Sequence, residues 1–176
     1  MKKNLIISTL LVILFLGGLT FGTAWGQDKG GKPVIHESFA GKEISPYETW
    51  KIYLKASDPD GNMRSIFAVV DQAGVGQYSL GITRLKKGKE KEFSGYFYLN
   101  SIGSNPSLLN FAHLNLTLWV QDRSGNFSDP VSFPLSYNVR FSQASPPQGK
   151  FQEDDLGPIM IHLGPVSNSA RLWLNE

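Results

Sequence analysis

Asp58, Asp60 and Asn62 place three oxygen-bearing side chains at alternate positions of one short turn, and Asp122 and Asn126 repeat the chemistry in a second turn. Carboxylate and amide oxygens at this spacing are a donor set for a hard cation such as calcium, bound weakly as in extracellular modules. The helix–loop–helix calcium pattern fails, because its sixth position holds Met63 in place of Gly and its twelfth holds Val69. The competing reading is that Asp, Gly and Asn simply build tight turns and cap strand ends. Under either reading, two acid-bearing loops that meet repel each other unless a cation or a backbone donor lies between them.

Other chemistry is sparse. His36, His113 and His162 are far apart and have no partner at metal-ligand spacing. Residues 74–79 (GVGQYS) carry Ser where a dinucleotide loop needs its third Gly, and residues 76–81 are one residue too long for a nucleophile elbow. The stretch 84–92 holds five basic residues and two glutamates. It reads either as a contact for polyanions or as a solvated hairpin tip that protects a strand edge. Trp119 and Tyr53 are candidate binding residues. Each sits opposite the main apolar face of its segment, where an aromatic ring either stacks on a sugar or lies in a second buried layer under the C-terminal tail.

Composition narrows the classes. The chain has 176 residues, 18 Gly, 10 Pro and 12% aromatics, which favours short strands and turns over a helical bundle. Lys2 and Lys3 account for the formal excess of +2, so residues 27–176 are neutral and do not make a basic nucleic-acid binder. No cysteine is present, which excludes disulfides, thiol catalysis, Cys-ligated zinc and lipidation of an N-terminal Cys.

Residues 1–26 have a basic start, an apolar run over 5–16 and small residues at Ala24 and Gly26. These are the three regions of a secretory signal peptide, with cleavage expected before Gln27; an uncleaved anchor is the other reading. Export implies a periplasmic or extracellular protein that meets the membrane only through that peptide.

Beyond a polar lead-in at 27–32, the elements that position these residues are strands. Residues 49–57 (TWKIYLKAS) alternate, with Trp50, Ile52, Leu54 and Ala56 on one face. Residues 114–121 alternate again, with Leu114, Leu116, Leu118 and Val120 inward. Further strands are expected at 34–39, 65–71, 77–85, 93–99 and 131–137, and Pro134 suits an open edge. About seven short strands with turn signals between them predict an all-β fold, a single β-sandwich over residues 33–140. A linker is expected over 141–158 and a C-terminal strand and tail over 159–176, with the strand at 159–163 docking back on the sandwich or on a partner.

The turn 58–62 (DPDGN) and the strand-to-turn run 118–126 (LWVQDRSGN) carry a resemblance. Residues 33–138 resemble the bacterial immunoglobulin-like and fibronectin type III-like domains of exported proteins, with Asp122, Gly125 and Asn126 matching the Asp-x-x-Gly-Asn pattern of such domains. The resemblance implies an immunoglobulin-like sandwich. With no catalytic constellation beside it, the expectation is a non-enzymatic module that binds another protein or the cell envelope; a carbohydrate-binding sandwich is the alternative.

Overall fold

The computed structural model describes residues 30–100 and 112–163. The expected signal peptide, and the part of the tail beyond residue 163, lie outside the described residues. Among the described residues the fold is all-β, with ten strands in two sheets. They are β1 (Val34–Ala40), β2 (Glu43–Ile44), β3 (Thr49–Ser57), β4 (Met63–Gln72), β5 (Gly76–Gln77), β6 (Gly81–Arg84), β7 (Glu92–Asn100), β8 (His113–Asp122), β9 (Val131–Tyr137) and β10 (Asp155–Pro158).

One sheet has the order β1-β3-β7-β10; in the other the order is β2-β9-β8-β4-β5, with β6 also paired to β4. Antiparallel β1, β3 and β7 in one layer, facing β9, β8 and β4 in the other, reproduce the strand order of an immunoglobulin sandwich. Inward residues fill the space between the layers. Trp50, Ile52, Leu54, Phe97 and Leu99 come from the first sheet, and Ile66, Val70, Leu116, Leu118 and Val120 from the second; all are buried. Trp50 buries its ring and donates its indole N–H to the Gly41 carbonyl at 2.8 Å, so the largest core side chain leaves no orphan donor. Pro134 lies where it costs no ladder bond, because β2 reaches only Ser136 and Tyr137 of β9.

Three expectations are corrected. The strand expected over 77–85 is broken at residues 78–80 into β5 and β6, both paired to β4, because the pairing shifts by one residue between Gln77, opposite Asp71, and Gly81, opposite Ala68. The C-terminal strand lies at Asp155–Pro158, not at 159–163. The segment 141–158 is no free linker: it crosses the outer face of the four-stranded sheet and ends in β10. The reason is an empty edge. Between β6 and β7 the chain turns through Gly88 without the extra strand that pairs with this edge in immunoglobulin domains, so the second side of β7 is open, and β10 fills it in parallel. Tyr96 donates its amide to the Asp154 carbonyl at 2.8 Å, and Ile159 donates to the Tyr98 carbonyl at 2.7 Å.

From β10 the chain continues across the gap between the sheets. Leu156, Ile159, Ile161 and Leu163 are all buried in the common core, each contributing roughly 1.5–3 kcal/mol relative to exposure. Thr83 of β6 donates its hydroxyl to the Pro158 carbonyl, tying the two sheets together at this edge. Lys86 and Lys89 of the basic hairpin pair with Asp155 and Asp154. Two of that hairpin's charges therefore hold the chain's own tail, a role neither sequence reading contained.

Gly95 permits the docking. A Cβ on it would stand 2.4 Å from the Asp154 carbonyl oxygen and 3.0 Å from Leu156 Cγ. Gly95→Ala should therefore cost about 1–3 kcal/mol of stability, the range for overpacking. In limited proteolysis it should be cut within residues 142–153 much faster than the wild type. An unchanged cleavage rate would mean that the tail is not seated on β7.

Candidate functional site

The turns 58–62 and 123–126 do meet at one end of the sandwich: Arg123 donates its amide to the Asn62 carbonyl at 3.0 Å. Their carboxylates, however, are anchors for the turns. Asp58 is 2% exposed and accepts from the amides of Asp60 at 3.0 Å and Asn62 at 3.3 Å. Asp122 is 1% exposed and accepts from the Asn126 amide at 2.8 Å and its side-chain nitrogen at 2.7 Å. Asn62 Oδ1 lies 3.3 Å from the Arg123 amide. Asp60 is exposed and lies against Gly30 of the lead-in. Among the described residues no three His, Cys, Asp or Glu side chains converge to hold a metal ion. The donor set does not fit calcium, because the buried oxygens of Asp58 and Asp122 are already committed to N–H groups. Where the two turns meet, the contact between them is a backbone donor, the Arg123 amide.

Tyr53 is corrected as a surface binding residue. It lies on the outer face of β3, but only 4% of it is exposed, because the segment 141–153 roofs that face. Its ring sits 5.6 Å from both Tyr96 and Phe151, and its hydroxyl donates to the Glu153 carboxylate at 3.0 Å. Burial, then the hydrogen bond and the negative charge of Glu153, push its pKa from 10.0 up to about 12. The neutral phenol is the form the fold favours, so its contribution to stability is complete below pH 10 and lost as pH rises towards 12. The same segment lines an open pocket of about 640 Å³ together with Lys51 and Tyr53 of β3. Its polar groups already serve one another: Lys51 lies 3.5 Å from Glu153 and 4.1 Å from the Tyr96 ring centroid, and Gln143 accepts from the Lys51 amide at 2.7 Å. The second buried layer proposed for Trp119 thus exists, but over Tyr53 on the opposite sheet.

Trp119 occupies the other outer face. It is half-buried and stands opposite Phe67, which stands opposite Ile82, so one row crosses β8, β4 and β6. Phe127 packs edge-on against Phe67 with centroids 5.1 Å apart. Ile82 and Phe127 are 48% and 42% exposed. Phe67, Ile82 and Phe127 were not singled out in the sequence. For Phe67 a signal was present, since Ile66, Ala68 and Val70 inward put it outward by parity; for Phe127, in a turn, there was none.

Two Ser–His pairs are present, His36 with Ser57 at 2.7 Å and His113 with Ser136 at 2.8 Å. The second is a direct cross-strand pair of β8 and β9. Neither histidine has a carboxylate partner among the described residues, so neither pair is oriented as a nucleophile and its base.

Comparisons with known proteins give little beyond this geometry. No family model matches, and no curated protein matches. Among solved structures the chain is similar to the CARDB domain of a Pyrococcus furiosus protein, a structure described as a complex with di-metal ions. The identity is 12% and the TM-score 0.35, over 63% of this chain and 96% of that chain. The strand order itself is what assigns the sandwich here.

Asp122→Ala should remove the acceptor for two N–H groups of its turn, one of them a backbone amide, and lower stability by about 1–3 kcal/mol. The loss should be the same in millimolar calcium and in chelator, measured as urea midpoints. A midpoint of the wild type that rises with calcium while that of Asp122→Ala does not would restore the cation reading.

Proposed function

We propose that this chain is a non-enzymatic, exported interaction module that binds another protein or a component of the cell envelope through the outer face of its six-stranded sheet. One observation carries the reading. The chain covers the outer face of one sheet with its own residues 141–153, yet leaves the row Ile82, Phe67 and Trp119, with Phe127 beside it, on the outer face of the other. Aromatic and aliphatic side chains grouped on a rigid sheet are the kind of surface that partners bury. The signal-peptide pattern supports a periplasmic or extracellular setting, and the neutral charge balance speaks against nucleic acid as the partner.

A carbohydrate-binding sandwich is the second reading, favoured by the single feature of a half-buried Trp119 on the outer face of β8. The 78° angle between the Phe67 and Phe127 rings works against it, since these two do not lie in one plane on which a sugar could rest. A protein partner is therefore preferred.

The paired substitutions Ile82→Ser and Phe127→Ser separate these readings. Immobilised wild-type protein should capture a saturable protein partner from envelope extract. The double variant should bind it at least about tenfold more weakly, with its melting midpoint little changed, because neither side chain belongs to the buried core. Equal capture by the double variant would clear this face of the role. Recovery of no protein, with the domain pelleting on insoluble glycan, would decide for carbohydrate.

A further inference from the structure

Three arginines surround one pocket of about 370 Å³ at the loop end of the sandwich: Arg64 at the start of β4, Arg84 at the end of β6 and Arg123 just beyond β8. All three are exposed. Six ion pairs are made by lysines, and among the described residues none of these three guanidinium groups has a carboxylate partner. The contrast is local as well as global. Lys86 and Lys89, next to Arg84 in sequence, are committed to Asp155 and Asp154, while the arginines beside them are left uncompensated.

Their backbones are fixed relative to one another. Arg84 pairs with Ser65, next to Arg64. Leu85 donates its amide to the Arg64 carbonyl at 3.0 Å, Met63 donates to the Glu90 carbonyl at 2.9 Å, and Arg123 donates to the Asn62 carbonyl at 3.0 Å. Three segments distant in sequence are thus bolted together so that their cations share one concavity. Met63, fully buried, and the half-buried Leu85 give it an apolar floor. Glu90 is the one acid in the lining, and its carboxylate accepts from the Gly88 amide at 2.7 Å within its own hairpin.

We propose that the pocket formed by Arg64, Arg84 and Arg123 binds a tetrahedral oxyanion, a phosphate or sulfate group carried by a small molecule or a lipid headgroup. Like charges gathered in a concavity raise a positive potential that an anion relieves, and the planar fork of arginine matches two oxygens of such a group at once. The apolar floor receives the carbon skeleton next to the anion. The pocket volume falls in the range of small-ligand sites, about 300–1,000 Å³. The site is independent of the aromatic row and stands whether or not that face binds a partner.

The probe is inorganic phosphate, titrated against the purified protein at constant ionic strength and followed by backbone amide shifts. Saturable shifts confined to residues near 62–64, 84–85 and 123 are expected, with a dissociation constant on the order of millimolar. Arg64→Gln, Arg84→Gln and Arg123→Gln should each weaken binding at least about fivefold, while Lys87→Gln, an equal change of charge on the neighbouring hairpin tip, stays within about twofold. Non-saturating shifts, or an equal loss in Lys87→Gln, would overturn the site in favour of diffuse charge. Two further arms distinguish the source. Phosphatidylglycerol vesicles that retain the protein and release it to phosphate would place the group on a lipid. A soluble sugar phosphate that binds tighter than phosphate, with vesicles retaining nothing, would place it on a small molecule.

Discussion

The unpaired side of β7 dictates how the C-terminal part of the chain is arranged. A strand with one side unpaired exposes a row of amide and carbonyl groups, and immunoglobulin sandwiches usually cover it with the strand that precedes β7 in sequence. Here the chain passes from β6 to β7 through a short basic hairpin, and the missing neighbour comes from the other end of the chain as β10. Much follows from that substitution. Gly95 must be glycine to admit the Asp154 carbonyl. The hairpin lysines must meet acids at 154 and 155. The residues that carry the chain from β9 to β10 have to cross the outer face of the four-stranded sheet, and in crossing they bury Tyr53 beneath Phe151 and Glu153.

The two outer faces end up unlike each other for the same reason. One is spent on holding the tail; the other keeps Ile82, Phe67, Trp119 and Phe127 in reach of solvent. The loop end adds a third surface, where the turns stabilised by Asp58 and Asp122, together with the pairing of β6 to β4, set Arg64, Arg84 and Arg123 around one pocket. Asp58 and Asp122 therefore act as anchors of their turns, and Arg64 and Arg123 follow directly from those turns. The buried carboxylates stabilise the turns through backbone donors, so no metal is needed to reconcile the charges of the two loops.

What could be read from the sequence follows from how local each signal is. The alternation at 49–57 and 114–121 is a property of one strand with one buried face, so β3, β8 and their inward residues were legible, as was the sandwich they imply. The meeting of the two acid-bearing turns was legible from the topology. Alternation also identified Tyr53 and Trp119 as outward, but not which outward face the chain itself would cover. The strand β10 was hidden because Asp-Leu-Gly-Pro has no strand propensity; it is a strand only because Tyr96, Phe97 and Tyr98 offer an edge to it. The apolar 159–163 run, which looks like a strand, supplies buried side chains instead. The arginine pocket could not be read at all, since it joins positions from three segments through contacts set only on folding.

The claim that the C-terminal strand is an integral part of the sandwich is tested most directly by native-state hydrogen exchange. The amides of Tyr96 and Ile159, which bond across β7 and β10, should exchange with an opening free energy within about 1 kcal/mol of that of Leu118 in the β8–β9 ladder. Exchange of Tyr96 and Ile159 through an opening several kcal/mol cheaper, with Leu118 still protected, would show that the sandwich stands without its tail and would contradict the account.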